Sequence, residues 1–327
     1  MTDPHDPSWL TEAEVASLVT LPDAIAAVER WLASEAAGEA ETMEKTHVGW
    51  GDGHGLHAIG AQAAASGYVA TKTWAHTAGG ATPLMIVWDS ATGRLRAVIE
   101  AFVLGQLRTG AVSGVATRWM AHTDAAELAL IGTGKQAMAQ VAAVAAVRPL
   151  KRVRVFSPTP ERRAAFVARL SAAGFGFEVV EARSVAAAVE GCAIVTTATR
   201  AREAFLDSAM VATGAHVNAV GAITPERREV AGDLVRRATQ IVADSPSAAR
   251  RLAAELGEGR DIVPLSSIVA ARQSRAVGTD LTLFKAMGIG LADLAVAVEV
   301  LGRAEARGLG RRMPHPEKAV PRLQGGT

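Results

Sequence analysis

Glu127-Leu128-Ala129-Leu130-Ile131-Gly132-Thr133-Gly134-Lys135-Gln136-Ala137 is the stretch on which the reading of the whole chain turns. An apolar strand runs into G-x-G-x-x-A and then into an alanine-rich helical segment. Gly132 permits the tight turn, Gly134 lets the backbone approach a pyrophosphate, and the small Ala137 lets the helix pack close to the strand. Thr133, Lys135 and Gln136 complete the loop, and the helix start offers free N–H groups and partial positive charge to phosphates. A glycine turn between any strand and helix mimics this pattern. The flanking strand and helix, with a second strand about 20 residues on, make it a dinucleotide site.

The end of that second strand reads the cofactor. An NAD site carries Asp or Glu there for the ribose 2′-hydroxyl. Here Val153-Arg154-Val155-Phe156 ends in Ser157-Pro158-Thr159-Pro160-Glu161-Arg162-Arg163. The hydroxyls of Ser157 and Thr159, with Arg162 and Arg163, suit a 2′-phosphate and favour NADP(H) over NAD(H). The competing reading is that Thr159 only caps a helix with Pro160 at its first position, leaving both arginines solvated.

Working outward, strand-like runs at Leu128–Ile131, Val153–Phe156, Phe177–Val180, Ala193–Thr197, Val217–Val220 and Ile241–Ala243 alternate with helical stretches. That alternation predicts an α/β fold with a Rossmann-type, doubly wound parallel sheet. Upstream, residues 1–40 read as two helices, with a Thr11/Glu14 capping box and Pro22 at a helix start. From Thr42 to Glu100, β-rich runs separated by Gly and Asp clusters, with a hairpin at Asp89-Ser90-Ala91-Thr92-Gly93, predict a mostly antiparallel sheet in a mixed α+β unit. Long helices are expected from about Phe102 to Ala121 and Leu291 to Arg307, then a frayed tail containing Pro314, Pro316, Pro321, Gly325 and Gly326.

Composition sets the limits. At 327 residues, the chain has room for two domains, since single cores stop growing near roughly 250–300 residues. A net charge of +1 argues against nucleic acid as a partner. No run approaches the ~18–20 apolar residues of a membrane span. The polar opening Met1-Thr2-Asp3-Pro4-His5-Asp6 is unlike a signal peptide, so the expected location is the cytoplasm. The single cysteine, Cys192, lies in an apolar run and reads as a buried, inert thiol. No H-x-x-H, C-x-x-C or HExxH spacing exists, and no metal is expected.

Three cations upstream of the loop stand out: Lys45, Lys72 within Ala70-Thr71-Lys72-Thr73-Trp74, and Arg108 opening Arg108-Thr109-Gly110-Ala111. On residue chemistry alone each is an ordinary surface charge. Their order is more specific. Lys72, the Asp89–Gly93 hairpin, Arg108–Ala111 and Gly132-x-Gly134 are followed by Asn218-Ala219-Val220-Gly221, Thr224-Pro225, Arg228-Glu229, Phe284–Gly288 and Asp293-Leu294. Over nearly its whole length the chain thus resembles the ornithine cyclodeaminase/mu-crystallin family.

The resemblance implies a homodimer, a substrate-binding and dimerisation domain (1–120 plus 303–327) and an NADP-binding Rossmann domain (121–302). It places carboxylate-binding residues at Lys45, where arginine is more usual, and Arg108, and the active-site lysine at Lys72. Thr109, His57 and the Phe284–Gly288 turn are further cleft candidates. Thr197, Ala198, Val220, Met287 and Gly288 join the expected cofactor contacts. The substrate class implied is a small α-imino or α-keto acid. Two departures bear on the chemistry: His57 replaces an acidic residue, and Ile223 stands where cyclodeaminases carry the catalytic aspartate. Isoleucine cannot handle an attacking amine, which favours imine reduction or amino-acid dehydrogenation over cyclisation. A cyclodeaminase-type lyase and a non-catalytic NADPH-binding protein are the alternatives. His47 reads as hydrogen-bonded or exposed, His57 equally as proton donor or bystander, His76 as a cleft-mouth residue and His54 as solvated.

Overall fold

The computed structural model describes residues 6–324, so Met1–His5 of the polar opening and Gly325 and Gly326 of the tail lie outside the described residues. A first sheet contains β1 (Ser8–Leu10), β2 (Glu41–Thr42), β3 (Thr46–Trp50), β4 (His54–Ala63), β5 (Tyr68–Thr77), β6 (Gly80–Ala81), β7 (Leu84–Asp89) and β8 (Leu95–Glu100). Its order is β1-β8-β7-β5-β4-β2, with β3 on β4 and β6 on β5, and only β1–β8 is parallel. The Asp89 carboxylate accepts from the Ala91 and Thr92 backbones, and Gly93 takes φ +69°, which closes the expected hairpin. Two helices precede the main strands, α1 (Glu12–Leu18) and α2 (Leu21–Ala36), and strand β1 before them is an addition to the two helices expected there. Thr11 with Glu14 and Thr20 with Asp23 form reciprocal capping boxes.

The second sheet is wholly parallel: β9 (Glu127–Ile131), β10 (Arg152–Phe156), β11 (Glu178–Glu181), β12 (Ile194–Thr197), β13 (His216–Ala219), β14 (Gln240–Ala243), β15 (Val263–Pro264) and β16 (Thr282–Lys285). The order is β11-β10-β9-β12-β13-β16-β14-β15. Both faces are covered. Leu128 and Leu130 enter one apolar cluster with Phe166 and Leu170, while Ala129 and Ile131 enter another with Val195 and Val217. This period-two split of a continuous apolar run is what a doubly wound sheet requires. One expectation is corrected: Phe284 and Lys285, read as part of a turn, belong to β16, which is inserted between β13 and β14. Both flanking strands are buried, and a four-residue stretch such as Thr282-Leu283-Phe284-Lys285 is too short to carry a periodicity that distinguishes it from a turn.

Between the strands run α3 (Phe102–Met120), α4 (Ala137–Ala145), α5 (Pro160–Ala172), α6 (Val185–Val189), α7 (Gly232–Arg237), α8 (Pro246–Leu252), α9 (Leu265–Ala271) and α10 (Gly290–Arg307). Helix α3 joins the two sheets; an added Cβ at Gly110 would lie 2.9 Å from the Ala139 carbonyl, so α3 and α4 touch backbone to backbone. Helix α10 returns to the first sheet and packs on α2, α3, β4 and β5. Strand β17 (Arg311–Arg312) then pairs with β1, so order extends to the threshold of the proline-rich tail expected to fray.

The start of α10 is the tightest joint: a Cβ at Gly290 would fall 1.9 Å from the Gly60 carbonyl oxygen. Gly290→Ala must therefore push α10 off β4, costing about 1–3 kcal/mol or more. Thermal unfolding of this variant is expected to fall clearly below that of the parent, and an unchanged midpoint would show that the joint has slack.

Candidate active site

The inner face of the first sheet changes character along its strands. Met85, Val87, Ala97 and Ile99 are fully buried. Lys72 of β5 pairs with Met85 in the same row, and Trp74 and His76 of β5 with His57 of β4 continue the face beyond it; the register sets His57 opposite Trp74 on one side and His47 on the other. The three rings stack, His57 to Trp74 at 4.9 Å and His57 to His47 at 5.6 Å between centroids.

Lys72 is 4% exposed and its ammonium donates to Asp293, which is completely buried in the first turn of α10. Arg108 Nε stands 3.1 Å from the same Asp293 oxygen, while the other carboxylate oxygen is buried without a hydrogen-bond partner among the described residues. The ammonium groups of Lys45 and Lys72 lie 5.6 and 5.4 Å from the Trp74 ring centre. The three sequence-predicted cations therefore converge on one ring and one carboxylate. Burial first, and then Arg108, lowers the Lys72 pKa to about 8. Lys45 is pushed down by burial and Arg108, and His57 by burial followed by Lys45, His47 and His76.

Arg108 reaches this point because α3 passes beside the carboxyl end of β16. A Cβ at Gly288 would sit 2.9 Å from Arg108 Nη1, and Gly288 has φ +85°. The Met287 and Gly288 N–H groups donate to the buried Asp244 at 2.7 and 2.8 Å. Thr109, by contrast, gives its hydroxyl to Gly105 of its own helix at 2.8 Å. His54 is set edge-on to Trp50, outside the cluster, and His76 is exposed on the β5 end. Cys192 is buried, its thiol pushed up to about 11 by burial.

The dinucleotide loop leaves the carboxyl end of β9, where the chain winds to β10 on one side and β12 on the other. That is the crevice position of doubly wound sheets. Gly132 takes φ +108°, and a side chain there would lie 2.5 Å from the Ala198 carbonyl; Gly134 has open space before it. Gln136 Oε1 is buried with no partner among the described residues, and Lys135 lies over the Phe102 ring of α3. These features fit a bound dinucleotide. At the end of β10, Thr159 occupies the N-cap of α5 but its hydroxyl caps nothing, so it remains available. Ser157 is buried and Arg162 exposed, whereas Arg163 is committed to Glu181 at 2.8 Å and to the Ser157 carbonyl at 2.7 Å.

Thr197, Ala198 and Val220 edge the same crevice and are fixed from behind by a group the spacing does not reveal. Glu229, fully buried, accepts from the Thr197 and Thr199 hydroxyls and from the backbones of Thr199, Gly221 and Ala222. Glu255 accepts from the backbones of Glu229 and Val230 and pairs at 2.6 Å with Lys285, both side chains being inaccessible. Asp293, Asp244 and Trp74 are the other site residues given no role by spacing. For Asp293 a signal existed, a lone acid in the first turn of a helix whose first half is otherwise apolar, where the N-terminal dipole welcomes it. Among the described residues no group of three or more His, Cys, Asp or Glu side chains is placed to hold a metal ion, and no helix is long and apolar enough to cross a membrane.

Comparison with known proteins agrees with this fold. The family model for ornithine cyclodeaminase/mu-crystallin matches residues 6–308. A Δ1-pyrroline-2-carboxylate reductase of Bacillus cereus is 32% identical over 240 residues, covering 70% of this chain and 73% of the relative. The structure of Thermococcus litoralis Δ1-pyrroline-2-carboxylate reductase with NADH and L-proline superposes with a TM-score of 0.87 at 25% identity, covering 94% of this chain and 100% of that one. The iminosuccinate reductase of Paracoccus denitrificans with NAD+ gives the same TM-score, 0.87, at 25% identity, covering 94% and 98%.

The buried Lys285–Glu255 pair makes a direct test of the clamp behind the crevice. Lys285→Met strands a buried carboxylate, which typically costs about 3–5 kcal/mol. Denaturant unfolding is expected to register a loss of that order; a loss under about 1 kcal/mol would show that the pair behaves like a surface ion pair.

Proposed function

The chain belongs to the ornithine cyclodeaminase/mu-crystallin family, and from that premise we propose that it is an NADP(H)-dependent oxidoreductase. In this reading it reduces a small α-imino acid to the α-amino acid, or runs the reverse dehydrogenation. The observation that carries the proposal is the buried Lys72 ammonium, held by Asp293 beside Arg108 at the carboxyl edge of the dinucleotide-binding sheet. When bound, the nicotinamide supplies the hydride that reaches the imine carbon. The protein does the rest. The terminal nitrogens of Arg108 form a planar fork for the substrate carboxylate, and Lys45 adds a point charge. Lys72 donates its proton to the imine nitrogen, so that C=N gains one hydride and one proton, and Asp293 keeps the lysine aimed throughout.

A lyase reading lacks its carboxylate, because the position is Ile223, half-buried against the apolar cluster behind the second sheet. The choice of NADP(H) rests on the free Thr159 hydroxyl, Ser157 and Arg162, with Arg163 occupied elsewhere. The cytoplasm and a homodimer belong to the same proposal. For the latter, the exposed Val48, Trp50 and Leu56 on the outer side of β3 and β4 are the surface we assign to a second copy.

Steady-state NADPH oxidation with preformed cyclic imines, and with 2-oxo acids plus ammonia, is the direct test; NADPH binding without turnover on any of them would remove the assignment. Lys72→Met is expected to lower turnover at least ~10²-fold. Since Lys72 must be protonated to donate, kcat/KM for reduction should fall as pH rises through about 8, and amine oxidation should rise over the same interval. A profile that stays flat well above that pH would separate Lys72 from the proton step. NADH used more efficiently than NADPH in the same assay would reverse the cofactor preference.

A further inference from the structure

The glycine loop has different neighbours on its two sides. On one stands β10, which runs into Ser157 and Thr159; on the other stand β12, β13 and β16, and β16 leads to Gly288, against which Arg108 lies. The reading above gives the 2′-phosphate end of the dinucleotide to Ser157 and Thr159. That leaves the β12 and β13 side for the half whose reacting carbon must come near Arg108 and Lys72. Two segments meet there, Thr197–Thr199 at the end of β12 and Gly221–Ala222 after β13, and a single inaccessible carboxylate holds both. Glu229 Oε1 accepts from the Thr199 N–H at 2.6 Å and from its hydroxyl at 2.8 Å. Oε2 accepts from the Thr197 hydroxyl at 2.9 Å and from the Gly221 and Ala222 N–H groups at 2.7 and 3.2 Å. The junction has no slack: a Cβ at Gly221 would fall 2.1 Å from the Thr199 carbonyl oxygen and 2.5 Å from Glu229 Oε1. Glu229 is held in turn, since its N–H and that of Val230 donate to one oxygen of Glu255 while the Lys285 ammonium takes the other. Lys285 ends β16, so the chain of contacts runs from the two segments to the strand that carries Gly288.

We propose that Glu229 is the positioning residue for the nicotinamide half of the dinucleotide, a role that rests on the dinucleotide reading above and not on imine reduction. It acts through the backbones of Thr199, Gly221 and Ala222, and through Glu255 and Lys285 it keeps them in register with the turn beside Arg108. Burying a carboxylate is costly, and saturation by donors offsets the cost. Here every one of those donors belongs to the two crevice segments, so the same contacts that make Glu229 tolerable also fix the crevice edge. The adenosine end depends on other contacts, because the Gly132 N–H donates to the Phe156 carbonyl at 2.8 Å and ties the glycine turn to β10. Glutamine at position 229 would keep the shape with one acceptor oxygen instead of two. Its amide nitrogen must face either the Thr199 N–H or those of Gly221 and Ala222, and a backbone donor cannot turn away as a hydroxyl can. One of the two segments is then released.

The test is isothermal titration of the full chain with NADPH and with 2′,5′-ADP, its adenosine half; NADH and 5′-ADP replace them where the unphosphorylated cofactor binds better. Glu229→Gln is expected to weaken NADPH at least ~10-fold and to leave 2′,5′-ADP within about 2-fold of the parent, the scale of a backbone donor left unpaired on one side only. With an imine that turns over, kcat should fall further than KM for the imine, since a loosely seated nicotinamide loses alignment for hydride transfer. Thr199→Val removes one donor and keeps the backbone; it should shift NADPH in the same direction by a smaller factor. That variant decides the matter where the glutamine variant does not fold, and an unchanged NADPH affinity in it then overturns the proposal. Equal weakening of both ligands by Glu229→Gln, or of neither, also overturns it, for Glu229 would then be an ordinary buried acid. A parent chain that binds neither NADPH nor NADH removes the dinucleotide reading and this role together. A chain that binds NADPH and reduces no imine loses only the imine-reduction reading, and the two titrations still decide the role of Glu229.

Discussion

The buried contact between Lys72 and Asp293 is the interaction on which the arrangement depends. Each charge is removed from water, and neither is tolerable there without the other. Because the partners are 221 residues apart in sequence, the pair can exist only when the N-terminal sheet and the helix following the nucleotide-binding sheet are docked. Arg108 joins from the helix between the two sheets. Three segments from three parts of the chain thus meet at one carboxylate, and the cleft is the place where they meet. A charge cluster that is costly as a folding element is useful as a site, since burial is what brings the lysine into a range where it can exchange a proton near neutrality.

Helix α3 is the second constraint. Its small residues at 110 and 114 let α4 and α2 approach closely, and this fixes the distance between the glycine loop and Arg108. The glutamate clamp behind Thr197 and Gly221 has a corresponding role on the opposite side of the crevice. Both devices hold backbone rather than side chains, which keeps the crevice edge rigid while leaving its surface free for a ligand.

Much of this was legible in the sequence. The glycine loop, the alternation of strands and helices, the capping boxes and the hairpin at Asp89–Gly93 are local signals, and local signals survive in a linear reading. The three cations were visible as candidates, and only family resemblance grouped them. What escaped was long-range pairing. Nothing near Asp293 announces that its partner is Lys72, nothing near Arg163 announces Glu181, and Glu229 looks like any surface acid in a charged loop. Strand β16 escaped for a related reason: its place between β13 and β14 is a property of the sheet, and its four residues carry no period of their own. Thr159 shows the limit from the other side, for its position as a helix cap was readable and the freedom of its hydroxyl was not.

The close seating of Gly290 on Gly60 has a consequence for how the molecule is made. The apolar inner face of the first sheet is made before the second sheet, and α10, which packs on β4, β5 and β7, is made after it. Until then the whole nucleotide-binding sheet must be threaded out while that face waits for its cover. Over that interval a nascent chain of this design has the layer open to water or to any passing apolar surface. The layer over the first sheet is finished after the second sheet, although the first sheet's strands β2–β8 precede it in the chain.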